Sequence, residues 1–240
     1  MARPLDLHEP ATSVPKSSRL PSLDGWRALS ILLVLGAHCK VTPGFPGSWD
    51  GLFRWLFDGA LGVRFFFVIS GFLITWLLLI ERTRAGKVSL GNFYVRRALR
   101  ILPVYYAFRL ALAALQAFTK YHLSKEGWIV SLTFSTNFFA NSWTSGHLWS
   151  LAQEEQFYFI WPGIFAVFSV AGRWRALSIA LTAPIVLAPF FRVLAYFGGS
   201  PFFQIAVGLS RCDSIAFGCA AAIIFYRHRE RIEGFMASHQ

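Results

Sequence analysis

An all-α, polytopic transmembrane bundle of about six spans, with both termini cytoplasmic, is the fold class this sequence predicts. Three observations predict it. Of the 240 residues, 55% are hydrophobic, 17% aromatic and only 15% charged, and the mean hydropathy is +0.48, which is not the composition of a soluble domain. Apolar runs recur along the chain at lengths near the roughly 20 residues that a hydrocarbon crossing needs. When those runs are threaded alternately, the basic segments 81–100, 172–175 and 227–231 all fall on one side. The net charge of +11 therefore reads as cytoplasmic loops beside anionic lipid headgroups, and nucleic acid is not an expected partner.

In chain order, residues 1–22 carry four prolines and no run of signal-peptide length, so they are expected to form a flexible cytoplasmic arm. The membrane domain is expected over 23–231, followed by a cytoplasmic tail, 232–240. The first span centres on Ala28–Val41, with Asp24 offered as its cap. Arg27 and His38 are eleven residues apart, about three helical turns, so they share a face some 16 Å apart along the axis. A second span, Gly59–Ile80, has Arg64 near its start and the small pair Ser70 and Gly71 for close helix approach. The six Lys and Arg of 81–100 fix the orientation. A third span is expected over Ile101–Phe118 with Pro103 in its first turn, where a missing N–H does no harm.

Residues 119–147 hold an apolar stretch, Trp128–Ala140, too short and polar for a crossing and expected as an outer interfacial or re-entrant helix. The fourth span begins near His147 and ends at Val170, with Glu154 and Glu155 in its first two turns. The fifth runs over Ala176–Phe197. The sixth covers about Phe202–Tyr226 and carries Arg211 and Asp213. Cys39, Cys212 and Cys219 lack C-x-x-C or zinc-finger spacing and read as small packing residues, so no metal site is expected.

Ionisable groups inside a bilayer point to function, because holding them there is costly without partners or water. Counted from the outer ends of their spans, His38, Glu154, Arg211 and Arg64 fall roughly 8–14 Å below the outer surface, while Arg27, Arg97 and Arg100 mark the opposite side. Arg97 and Arg100, at i and i+3, share a face that suits phosphate groups, though they also read as ordinary positive-inside residues. Arg211 and Asp213 read equally as a structural pair, but i, i+2 spacing directs them to different partners. His147 stands at the interface.

Five stretches in one order carry a resemblance: LDGWRALSILLVLGAH (23–38), GVRFFFVISGFLI (62–74), FYVRRALRILP (93–103), HLWSLAQEEQFYFIWP (147–162) and RCDSIAFG (211–218). The chain resembles the acyltransferase 3 family of bacterial membrane O-acyltransferases, which modify cell-surface and exported glycans. The resemblance implies that Arg27 and His38 are the family's R-x10-H pair, Arg97 and Arg100 its cytoplasmic R-x-x-R, Glu154 its motif glutamate, and Arg211 and Asp213 its R-x-D. It departs at Arg64, where the family often has aspartate. It also stops after the sixth span, where family domains usually continue for about four more, which leaves a truncated paralogue or half of a split enzyme as alternatives.

The implied activity is transfer of an acyl group, most simply acetyl from acetyl-coenzyme A, to a hydroxyl of a lipid-linked or surface glycan at the bacterial inner membrane. Arg97 and Arg100 would hold the acyl-coenzyme A donor and Arg27 would guide the thioester. His38 would serve either as general base or as acyl carrier, with Glu154 orienting it. Arg211, Asp213, Arg64 and His147 are the expected acceptor-side residues. A transporter or channel would use similar intramembrane charges. A complementary carboxy-terminal chain is a further expected partner.

Overall fold

The computed structural model describes residues 20–119, 123–139, 147–197 and 211–237, and no strand occurs among them. Most of the expected arm, the turn and first half of the expected sixth span at 198–210, and the end of the tail lie outside the described residues. The helices are α1 (Pro21–Cys39), α2 (Asp50–Leu56), α3 (Gly59–Ala85), α4 (Leu90–Phe118), α5 (Lys125–Leu132), α6 (Thr136–Phe139), α7 (Trp149–Val170), α8 (Trp174–Phe197) and α9 (Cys212–Ala237).

Local chemistry explains several boundaries and corrects two expectations. α1 starts at Pro21, whose preset φ and missing N–H suit a first turn. Asp24 therefore lies inside that turn, near the positive end of the helix dipole, and is not the cap. Asp58 caps α3, accepting from the N–H groups of Ala60 (2.9 Å) and Leu61 (3.0 Å). The basic stretch 81–100 is two helix ends around a short turn, because Glu81 accepts from the Ser89 N–H at 3.0 Å and α4 begins at Leu90. Pro103 is consequently in the interior of α4, a position that membrane helices tolerate where neighbours satisfy the freed carbonyl.

Side-chain pairs fix the relative directions of the six long helices. Gly59 meets Ala37 and Arg27 meets Phe66, so α1 and α3 are antiparallel. Phe67 faces Trp149 and the Trp161 indole donates to the Thr75 hydroxyl at 2.9 Å, so α7 runs with α3. Gly71 meets Ile215 and Thr83 bonds Tyr226 at 2.6 Å, so α9 does too. α4 opposes α7 through Arg97–Glu154 and Tyr94–Phe159, and α8 opposes α9 through Arg192–Asp213 and Trp174–Arg227. The six alternate in chain order.

α3 occupies the centre, flanked by α1 and α9, with α7 against a third side. Phe67, Trp76, Leu78, Trp161, Phe165 and Ile215 form the heart of the core. The α3–α9 seam is very close: a Cβ on Gly71 would lie 2.0 Å from the Ile215 carbonyl oxygen, and one on Gly218 2.0 Å from that of Val68. Among the described residues, three stretches are long and apolar enough to cross a membrane: 47–85, 90–118 and 174–194. On α4, Leu99, Val104 and Leu110 are each 71% exposed, a surface that only lipid or another apolar partner would cover. The remaining long helices, α1, α7 and α9, bring most of the site residues.

The described residues of 119–147 form two short helices, α5 and α6, folded back on the bundle. The Tyr105 hydroxyl donates to the Ser131 carbonyl at 2.5 Å, and the Gln156 amide donates to the Phe134 carbonyl at 2.7 Å. This pair of short helices covers the second half of α4.

Candidate active site

One stripe of α1 organises the site. Arg27, Ser30, Ile31, Val34, Leu35 and His38 follow the i, i+3, i+4, i+7, i+8, i+11 spacing of a single helix face. At its Arg27 end the stripe borders a cavity of about 960 Å³ between α1, α3 and α4. Arg27, Arg84, Arg96, Arg97 and Arg100 line it, with Asp24 and Glu81 as the acidic groups. Arg27 lies 5.4 Å from the Phe66 ring centroid. Phe66 in turn lines a second, apolar cavity of about 190 Å³ with Ser30, Val34, Val63 and Ser150. This smaller space lies farther along α1 toward His38, which is exposed at the other end of the helix.

Arg97 joins the large cavity to the interior. Its guanidinium stacks 3.5 Å from the Tyr158 ring centroid and reaches Glu154 at 3.5 Å and Glu155 at 3.6 Å. Glu154 is only 3% exposed and also accepts from the Tyr158 hydroxyl. A buried carboxylate needs such a cation, and a buried guanidinium needs acceptors, so the pair explains why both survive desolvation. The expected separation of Arg97 from Glu154 on opposite sides is thus incorrect. Because α4 starts at Leu90, Arg97 is already two turns into the helix. The bonds of Glu154 among the described residues run to Arg97 and Tyr158, not to His38.

The two ends of the R-x-D stretch find different partners, as their spacing requires. Arg211 stacks 4.1 Å from the Trp149 ring centroid, and Asp213 pairs with Arg192 of α8 at 2.6 Å. Between them, Cys212 accepts from the Gln153 amide at 2.6 Å, tying the start of α9 to α7 one residue before Glu154. Arg64 is exposed on α3, away from these bonds. His147 sets its ring against Phe108 at 6.0 Å. Although one side of His147 stays open to solvent, protein packed on the other lowers its pKa below the ordinary histidine value, and the charges of His38 and Arg109 lower it further.

Sequence reasoning missed Arg84 and Arg96 in the cavity, Tyr158 beneath Arg97, and Arg192 and Arg109. A signal existed for the last two: each is a lone arginine inside an apolar run, at FFRVL and AFRLA, and such a residue in a span calls for a named partner.

Residues 20–239, nearly the whole chain, match the family described as acyltransferase domain. The chain belongs to the acyltransferase 3 family. It is 29% identical over 226 residues to peptidoglycan O-acetyltransferase OatA of Listeria monocytogenes, a match covering 86% of this chain and 34% of that protein. To the putative peptidoglycan O-acetyltransferase YrhL of Bacillus subtilis it is 31% identical over 224 residues, 86% of this chain and 33% of the relative. A putative O-acetyltransferase of Staphylococcus aureus strain COL is 33% identical over 172 residues, 64% of this chain and 26% of the relative. The chain thus spans about a third of the length of the relatives it matches most fully. No solved structure matches it.

Proposed function

We propose that this chain is the membrane unit of an O-acyltransferase that moves an acyl group, most simply acetyl, from acyl-coenzyme A to a glycan hydroxyl. The observation that carries the reading is the arginine-lined cavity of about 960 Å³ at the Arg27 end of α1. That volume is near the top of the roughly 300–1,000 Å³ typical of small-molecule sites. Five guanidiniums around one space suit a donor with several phosphate groups, which arginines bind in bidentate fashion. In this reading Arg97 and Arg100 hold the phosphates, and the Glu154–Tyr158 pair keeps the Arg97 guanidinium aimed. The apolar pocket beside Ser30 and Phe66 then receives the thioester arm on its way along α1.

At the far end, His38 takes the proton from the acceptor hydroxyl as that oxygen attacks the thioester carbonyl. The C–S bond breaks, the acyl group stays on the acceptor oxygen, and the thiolate takes up the proton to leave as free coenzyme A. Arg211, Asp213, Arg64 and His147 line the acceptor side. The alternating long helices support six spans over 23–231 with both termini in the cytoplasm of a bacterial inner membrane, so that donor and acceptor meet across the bilayer. The names of the relatives support a peptidoglycan-like or other surface glycan as acceptor.

The test is release of free coenzyme A from acetyl-coenzyme A by the chain reconstituted in vesicles. Release should require an added glycan and fall by about 10²- to 10⁴-fold in His38→Ala with the protein still in the membrane. Arg100→Gln should raise the donor KM. Solute flux in vesicles lacking any thioester, with no glycan-dependent release, would favour a transporter and overturn the proposal.

A further inference from the structure

Arg109, in the second half of α4, is the most anomalous side chain in the molecule. It is 2% exposed, yet Nε and both terminal nitrogens lack any hydrogen-bond partner. No carboxylate among the described residues pairs with it, and the Trp128 indole of α5 lies 4.2 Å from the guanidinium. A cation–π contact of that kind offsets only part of what it costs to bury an unpaired charge. Nearby groups do not offset the charge. Tyr105 is committed to Ser131, the Trp128 N–H to Gln116 at 3.2 Å, and the adjoining Phe108 backs His147. The charge of Arg109 also acts on His147, which it helps to keep uncharged.

We propose that Arg109 is a binding residue for an oxyanion of the acyl acceptor, a carboxylate or phosphate oxygen that takes the unused donors of the guanidinium once the side chains packed over it move aside. The inference rests on the proposed acyl transfer and adds a substrate class to it: an anionic glycan rather than a neutral one. Trp128 holds the guanidinium plane in place for a bidentate contact. The charge left unpaired in the ligand-free protein is satisfied when the acceptor binds, and an acceptor without the oxyanion would leave it unpaired.

The experiment is equilibrium binding to the full chain in neutral phosphatidylcholine nanodiscs, with no thioester present, so failed acyl transfer leaves it readable. The probes are a glucuronate-terminated disaccharide and its neutral glucose counterpart. Wild type is expected to bind the carboxylated sugar at least about tenfold more tightly. Arg109→Lys should lose most of that preference, and Arg109→Met all of it, while melting at the same or a higher temperature without ligand. Equal affinities for the two sugars, a preference that survives in Arg109→Met, or a lower melting temperature for that variant would each overturn the assignment. So would Arg109-dependent stabilisation by phosphatidylglycerol nanodiscs with no sugar preference, which would make a lipid headgroup the occupant.

Discussion

Replacing Glu154 by glutamine distinguishes two roles for this carboxylate. The resemblance assigns it to the His38 imidazole, but its observed bonds run to Arg97 and Tyr158. Removing one member of a buried ion pair typically costs about 3–5 kcal/mol, because the remaining charge is stranded. Here Arg97 keeps Glu155 at 3.6 Å and the Tyr158 ring at 3.5 Å, and a fifth of its side chain is open to the cavity. The expected loss for Glu154→Gln is therefore smaller, about 2–3 kcal/mol, and the full range should appear only when Glu155→Gln is added. Thermal unfolding in detergent, arranged as a double-mutant cycle with Arg97→Met, measures the coupling. Turnover supplies the second readout. With Arg97 no longer held toward the cavity, the donor KM should rise while the pH dependence of kcat/KM, which the proposed mechanism assigns to the base and not to Arg97, stays where it was. A shifted pH profile with an unchanged donor KM would refute the argument and return Glu154 to the histidine.

Two further outcomes follow from geometry. Gly71→Ala should destabilise by about 1–3 kcal/mol, because the new methyl meets helix backbone and α3 and α9 must part. The pair Gly71→Ala/Gly218→Ala should lose less than the sum in thermal unfolding, since one separation of the seam relieves both clashes. Histidine-labelled NMR should place the His147 pKa below the ordinary value and move it upward in His38→Gln, which removes one opposing charge. The sign for stability is fixed by the same depression. Between the native and ordinary values the unfolded chain holds more protons, so His147 makes the fold gain stability as pH rises through that window and lose it as pH falls.

The bundle was legible in the sequence because its signals are local. Apolar runs and the i, i+3, i+4 stripe of α1 depend on neighbours in the chain, and those within the described residues reappear as helices and faces, while the basic stretch 227–231 lies inside α9 and not in a turn. The predicted divergence of Arg211 and Asp213 also held, since i, i+2 spacing is a property of one helix. What failed depended on helix ends and on register between helices. Taking Ile101 as the start of a span put Arg97 in a loop and hence far from Glu154, whereas α4 extends back to Leu90 and carries Arg97 into contact with it. No pattern within 93–103 or 147–162 contains that register. It is set where Tyr94 meets Phe159 and where Trp161 meets Thr75.

The two ends of α1 then pose opposite electrostatic problems. At the Arg27 end, five arginines line one cavity, and Asp24, Glu81 and Glu154 balance them only in part, so a polyanion is attracted but not permanently held. Beyond it the stripe turns apolar at Ile31, Val34 and Leu35, which disfavours phosphate groups and would suit the thioester arm of the proposed donor. In the proposed reaction this arrangement would select within a single ligand, with the phosphates kept at one end and the acyl group carried about 16 Å along the helix toward His38. At the other end Arg109 carries its charge with no carboxylate bonded to it among the described residues. The oxyanion of the proposed acceptor would answer that charge, and the apolar stretch of α1 lies between it and the donor cavity.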